Sequence, residues 1–319
     1  MREGQFIKQN LERWEGFQEP TENPDEIAKR FTYLVDDLSY AKTFYPNSNT
    51  IRYINGIAAN IYLSIYRNKK EKKNRLITFW KTDLPLAIRR SHRILLFGLL
   101  FFLCFVLIGV FSAAYDQNFV RAILGDGYVD MTERNIASGD PFGVYKQENE
   151  FLMFVSIAWH NISVTLLLFS SGIFLGIGTL YFLLLNGLMM GVFEYMFFHH
   201  NLGWQSILVI FIHGTLELSA IVIAGGAGLN LGNAILFPKT YKRVQSLMFA
   251  TKNSIKILIS VIPVLVIAAF FEGFVTRHTE MPIWMSISIL VGSACFIAWF
   301  YIIYPIIVGR QHNLKENEN

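Results

Sequence analysis

The chain has 319 residues, 53% of them hydrophobic and 28 of them Phe, with a formal net charge of +4. So apolar a composition excludes an ordinary soluble domain and points to an all-α, polytopic membrane protein. Cys104 and Cys295 both fall inside expected membrane helices, which argues against a disulfide scaffold and a cysteine-based metal site.

Residues 1–30 are charged and polar and do not read as a secretory signal. From Glu3 to Gln18 an apolar stripe of Phe6, Leu11, Trp14 and Phe17 predicts a helix. Asn23-Pro24-Asp25-Glu26 is a helix start, with Asn as cap, Pro at the first position and acids in the first turn. That helix is expected to stop at Pro46, with Ser48 or Asn49 capping another from about Thr50 to Arg67. Residues 1–92 thus form an expected cytoplasmic helical domain, whose aromatic stripes read as core ahead of a partner-binding face. It shows no phosphate-cradling loop and no metal-ligand spacing.

The end of this region, residues 68–93, holds nine Lys or Arg against Glu71 and Asp83, interleaved with Phe79, Trp80, Leu84, Leu86 and Ile88. This is a basic amphipathic collar suited to anionic lipid at the inner leaflet. Nucleic acid is the rival partner of any basic cluster, but a membrane segment follows at once, so no nucleic-acid role is expected.

The membrane domain is expected over residues 93–309, with a polar cytoplasmic tail, disordered by composition, at 310–319. The first span is read at 94–115. Residues 116–150 read as a polar loop with seven acids and three bases, placed outside by the positive-inside rule. Residues 151–160 read as a short interfacial helix, followed by a span from Ile162 to Leu185. Gly172 and Gly176, with Gly191 further on, offer small faces for helix packing, and through them a homodimer or small homo-oligomer. Asn186-Gly187 is expected to break the pattern, leaving a short piece at 188–198 that carries Glu194.

Residues 204–232 return across the membrane and are the stretch around which the chain is organised. They are apolar, yet contain His213 and Glu217, which share a face at helical pitch. Gly187, Gly214, Gly225, Gly226 and Gly228 permit a break in the backbone or a very close helix contact. The acid-free segment 238–256, with Lys239, Lys242, Arg243, Lys252 and Lys256, belongs inside. Two further spans, about 255–274 with Pro263 and Glu272, and 283–308, bring the expected total to six with both termini cytoplasmic. A re-entrant hairpin at 187–232 satisfies the same charge pattern.

The segments GQFIKQNLERWEGFQE, LSYAKTFYPNS, RYINGIAANIYLSIYR, NISVTLLLFSSGIFLGIGT, NGLMMG and HGTLELSAIVIAGGAGLNLG occur in order. Together they resemble the stage II sporulation protein M family of bacterial membrane proteins. Family members typically carry a second Asn before the Asn161 position and often a basic residue shortly after; here His160 and Ser163 stand there. The resemblance implies a multi-pass protein of the bacterial cytoplasmic (inner) membrane. It also implies partners such as peptidoglycan-degrading envelope enzymes or an AAA-type ATPase.

The residues support three readings. The first is a non-catalytic scaffold or assembly partner in a cell-envelope complex, with no cofactor and no resident metal. The second is a transporter or channel whose polar intramembrane site gathers Asn186, Glu194, His213, Glu217 and Glu272. The third is an intramembrane metalloenzyme, with His160, His199, His200 or Glu194 completing a site at His213 and Glu217. The chain lacks His-Glu-x-x-His, which weighs against the third. A cavity at these groups favours the second reading over the first.

Overall fold

The structure is a computed structural model that describes the chain except residues 20, 22, 68–74, 144–148, 277–280 and 318–319. Among the described residues there are helices and no strands. The chain divides into two compact units, Met1–Arg75 and Leu76–Asn319. This boundary lies before the expected one at 92/93. The lysine-rich residues 69–73 of the collar lie outside the described residues.

The first unit is three helices, α1 (Glu3–Gly16), α2 (Pro24–Phe44) and α3 (Asn49–Arg67). The caps act as the sequence indicates. Asn23 Oδ1 accepts from the Asp25 amide at 3.1 Å, and Ser48 Oγ accepts from the Thr50 amide at 2.9 Å. Phe6, Trp14, Leu34, Ala41, Ile54 and Ile57 form one core. Trp14 is fully buried, and its indole donates to Asp37 Oδ2 at 2.8 Å, so the polar edge of the ring is satisfied.

Among the described residues, six helices are long and apolar enough to cross a membrane: α4 (Arg75–Tyr115), α7 (Glu150–Ile173), α8 (Ile177–His199), α9 (Gly203–Leu236), α10 (Arg243–Val275) and α11 (Ile283–His312). Two short helices, α5 (Gln117–Leu124) and α6 (Asp126–Ala137), lie between α4 and α7. They correct the reading of 116–150 as a loop. Arg121 Nη1 lies 2.7 Å from Asp130 and 3.3 Å from Asp126, tying α5 to α6. Their apolar faces, Val120 and Val129, pack with Val192, Met196 and Ile210 at the ends of α8 and α9.

The expected interfacial helix and the break at Asn186-Gly187 are both absent. α7 runs unbroken through His160-Asn161, and α8 runs unbroken through Asn186-Gly187. The break falls instead at residues 171–176, a 3₁₀ turn followed by Leu175 (φ 54°) and Gly176 (φ 82°) in the left-handed region. Gly176 takes that conformation without the Cβ penalty and starts α8 directly. Asn186 stays helical because its side-chain amide donates to the Phe182 carbonyl of its own helix at 2.8 Å. Three full-length helices therefore lie between the 117–137 segment and residue 237, and no re-entrant hairpin forms. The tail, too, continues as helix as far as Asn317.

α9 is the central helix. It packs against α4, α7, α8, α10 and α11. In its most apolar stretch 56% of residues are buried, against 17% for α4, α7 and α11, whose outer faces are left to lipid. It is one unbroken helix of 34 residues, so Gly214, Gly225, Gly226 and Gly228 do not break it. Three of the four are close-packing positions. A Cβ at Gly226 would fall 2.8 Å from Leu95 Cα, at Gly225 2.7 Å from the Leu183 side chain, and at Gly228 3.0 Å from the Phe169 carbonyl. Gly187 is likewise packed, on the Phe102 carbonyl of α4, and Gly191 on Val106. Gly172 meets the Gly228 backbone directly. These small faces are consumed inside one chain, which removes them as the basis for a homo-oligomer.

Candidate functional site

His213 and Glu217 are one turn apart on α9, and α10 supplies the third member. α10 ends in a π-helical turn, Phe271–Val275, which carries Glu272. The wider turn is a feature that recurs at functional sites because it re-aims side chains against the α-helical register. Here it places Glu272 and Thr276 on His213. His213 Nε2 lies 3.9 Å from Glu272 Oε2, and His213 Nδ1 lies 3.1 Å from Thr276 Oγ1. One ligand-type atom from each of His213, Glu217 and Glu272 lies within 4.8 Å of the others, the one such His/Glu group among the described residues.

Thr276 Oγ1 lies 3.1 Å from both the Phe271 carbonyl and His213 Nδ1. With its hydroxyl proton on the carbonyl, it accepts from a protonated Nδ1. Nε2 then presents a lone pair on the side of Glu272.

From α7, Asn161 lies against the Glu217 carboxyl, and its Nδ2 is a buried donor with no hydrogen-bond partner of good geometry among the described residues. Thr165, one turn further along the same face, likewise has a buried hydroxyl without a partner among the described residues. A cavity of about 330 Å³ reaches the cluster, lined by His213, Gly214, Glu217 and Glu272. Met189, Met190 and Phe193 of α8 form its wall, and Ile123, Leu124 and Tyr128 of α5 and α6 form its roof. Burial raises the Tyr128 phenol above its ordinary value, so the roof is neutral. A larger cavity, about 500 Å³, lies between α4, α9 and α11. It is apolar apart from His92, Thr215, Ser219 and Tyr301 and holds no ionisable cluster.

Of the five polar groups the sequence groups together, three meet. Asn186 is turned to its own helix, and Glu194 accepts from Ser206 Oγ at 3.1 Å at the α8–α9 corner. His160, His199 and His200 are exposed and complete no site. Sequence reasoning missed Thr276 and Asn161 as members. Thr276 lies four residues after Glu272, a helical spacing that was there to be read, whereas Asn161 comes in only through the packing of α7 on α9.

Residues 4–67 match a domain of unknown function, DUF8413. Neither the curated proteins nor the solved structures contain a match to the chain. Residues 98–277, more than half of the chain and spanning the whole His213–Glu217–Glu272 site, match the family described as stage II sporulation protein M. That match covers more than half of the chain, so the chain belongs to the stage II sporulation protein M family.

Proposed function

We propose that this membrane protein is a non-catalytic scaffold or assembly partner in a cell-envelope complex of the bacterial inner membrane, with both termini in the cytoplasm. The observation that supports this most is the amount of chain given to helical modules that do not cross the membrane. Met1–Arg75 has its own core, and α5–α6 caps one end of the bundle with another. The first module also exposes large side chains, Tyr33 and Phe44 among them, of the kind that anchor protein contacts. Its partners are envelope enzymes or an AAA-type ATPase, and anionic lipid meets the basic segment 68–93. Co-purification from native membranes, read by mass spectrometry, tests the proposal. Deleting residues 1–67 is expected to release a specific partner while the membrane unit still inserts. Recovery of lipid alone, with and without the module, overturns it.

One observation favours a second reading, a transporter or channel. The acids that meet do so at a cavity and not in dry packing. Flux measured in proteoliposomes separates the two. Glu217→Gln abolishes flux in a folded protein under the second reading, whereas the first predicts no flux to lose.

A further inference from the structure

Two carboxyl groups and an imidazole nitrogen meet at membrane depth. In the tautomer protonated at Nδ1, toward Thr276, Nε2 directs a lone pair to a Glu272 oxygen 3.9 Å away. Two electron-rich atoms facing one another repel unless a proton or a cation lies between. Glu217 adds a second carboxylate within 4.8 Å of both. An uncompensated pair of carboxylates in a low-dielectric interior is costly, and a dication cancels their charge exactly once.

We propose that His213, Glu217 and Glu272 bind one divalent transition-metal cation of the zinc type. The donor set is the argument. Imidazole suits zinc and its neighbours, while calcium asks for six to eight oxygens. Zinc–ligand bonds of about 2.0–2.2 Å place tetrahedral ligands roughly 3.3 Å apart. The observed separations close to that with side-chain shifts of an ångström or so. Thr276 supplies the outer hydrogen bond that fixes the tautomer and aims Nε2, as second-shell groups do for metal-bound histidines. The Asn161 amide, 8% exposed, is a polar group facing Glu217 whose Nδ2 has no hydrogen-bond partner of good geometry among the described residues. The cavity under α5 and α6 is the path by which the ion arrives and the place for a water ligand. The ion joins α9 to α10 and is independent of the scaffold proposal.

The test uses the full chain purified in detergent, stripped with a chelator and reloaded with zinc or cobalt(II). The expected result is about one ion per chain, a raised thermal midpoint and a cobalt spectrum showing nitrogen and oxygen ligands. His213→Ala and Glu272→Gln are expected to lose the ion and the midpoint rise, while a His199→Ala/His200→Ala double variant keeps both. Thr276→Val leaves all three ligands in place and is expected to bind about 10–100-fold more weakly. The proposal is overturned by wild-type protein that takes up neither metal and responds to pH alone. Equal metal content in the His213 and Glu272 variants, or unchanged affinity in Thr276→Val, overturns it as well.

Discussion

Ser206 Oγ sits 3.1 Å from both carboxylate oxygens of Glu194, so one hydroxyl proton serves two acceptors where α8 turns into α9. Ser206 is fully buried. Ser206→Ala removes a hydrogen bond to a carboxylate and is expected to cost about 1.5–3 kcal/mol. Glu194→Gln retains an acceptor and is expected to cost less than Ser206→Ala. Unfolding in detergent, run as a double-mutant cycle, measures the coupling. A cycle with no coupling energy shows that the pair is not an interaction.

Gly214 of α9 and Gly172 at the end of α7 make opposite predictions. Gly214 has only Ile210 Cγ2 nearby, at 3.8 Å, so Gly214→Ala is expected to raise stability by about 0.5–1 kcal/mol. At Gly172 the new methyl collides with the Gly228 backbone, and Gly172→Ala is expected to cost about 1–3 kcal/mol. Thermal midpoints of the two variants check this. If Gly214→Ala proves the more damaging, the helix does flex there.

The order of the helices predicts sidedness. Three helices long and apolar enough to cross lie between Asp130 on α6 and Lys242 before α10, so the two are expected on opposite sides. Cys104 and Cys295 are exposed on the bundle surface and are replaced first. A cysteine at 130 is expected to react with an impermeant reagent from outside intact cells, and one at 242 only after lysis. Labelling of both from one side rules out six crossings.

In the first unit, Glu3 accepts from Ser48 Oγ and from Thr50 Oγ1, the latter at 2.8 Å, and these bonds hold its carboxyl below the ordinary value of 4.5. A depressed folded value means the contribution is present above about pH 4.5, the unfolded value, and is lost as pH falls through the lower, folded one. The amide protection factors of residues 3–16, taken against intrinsic exchange at each pH, are expected to fall on acidification through that range. Glu3→Gln is expected to flatten the response. A response identical in wild type and Glu3→Gln places the acid sensitivity elsewhere.

Much of this architecture is legible in the sequence because a bilayer enforces it. Apolar runs longer than a span, Lys and Arg at one end, and caps such as Asn23 are all local signals. The misread elements are those that neighbours decide. Asn186-Gly187 has the composition of a break, but a side-chain bond to Phe182 and the close approach of α4 keep it helical. α5 and α6 look like a loop until Val120 and Val129 find the ends of α8 and α9. The same holds for the site. His213 and Glu217 are paired by periodicity, whereas Glu272, some 55 residues further on, joins them only through the π turn that rotates it inward.

The contact of Gly172 with Gly228 is a seam between α9 and the turn before α8 that contains no side chains at all. Truncation, the commonest route to a damaged core, has nothing to remove there. Every change that a single mutation can make at either position adds atoms. The seam is thus fragile in one direction only, and chance substitution at these two positions can wedge the bundle apart but never hollow it.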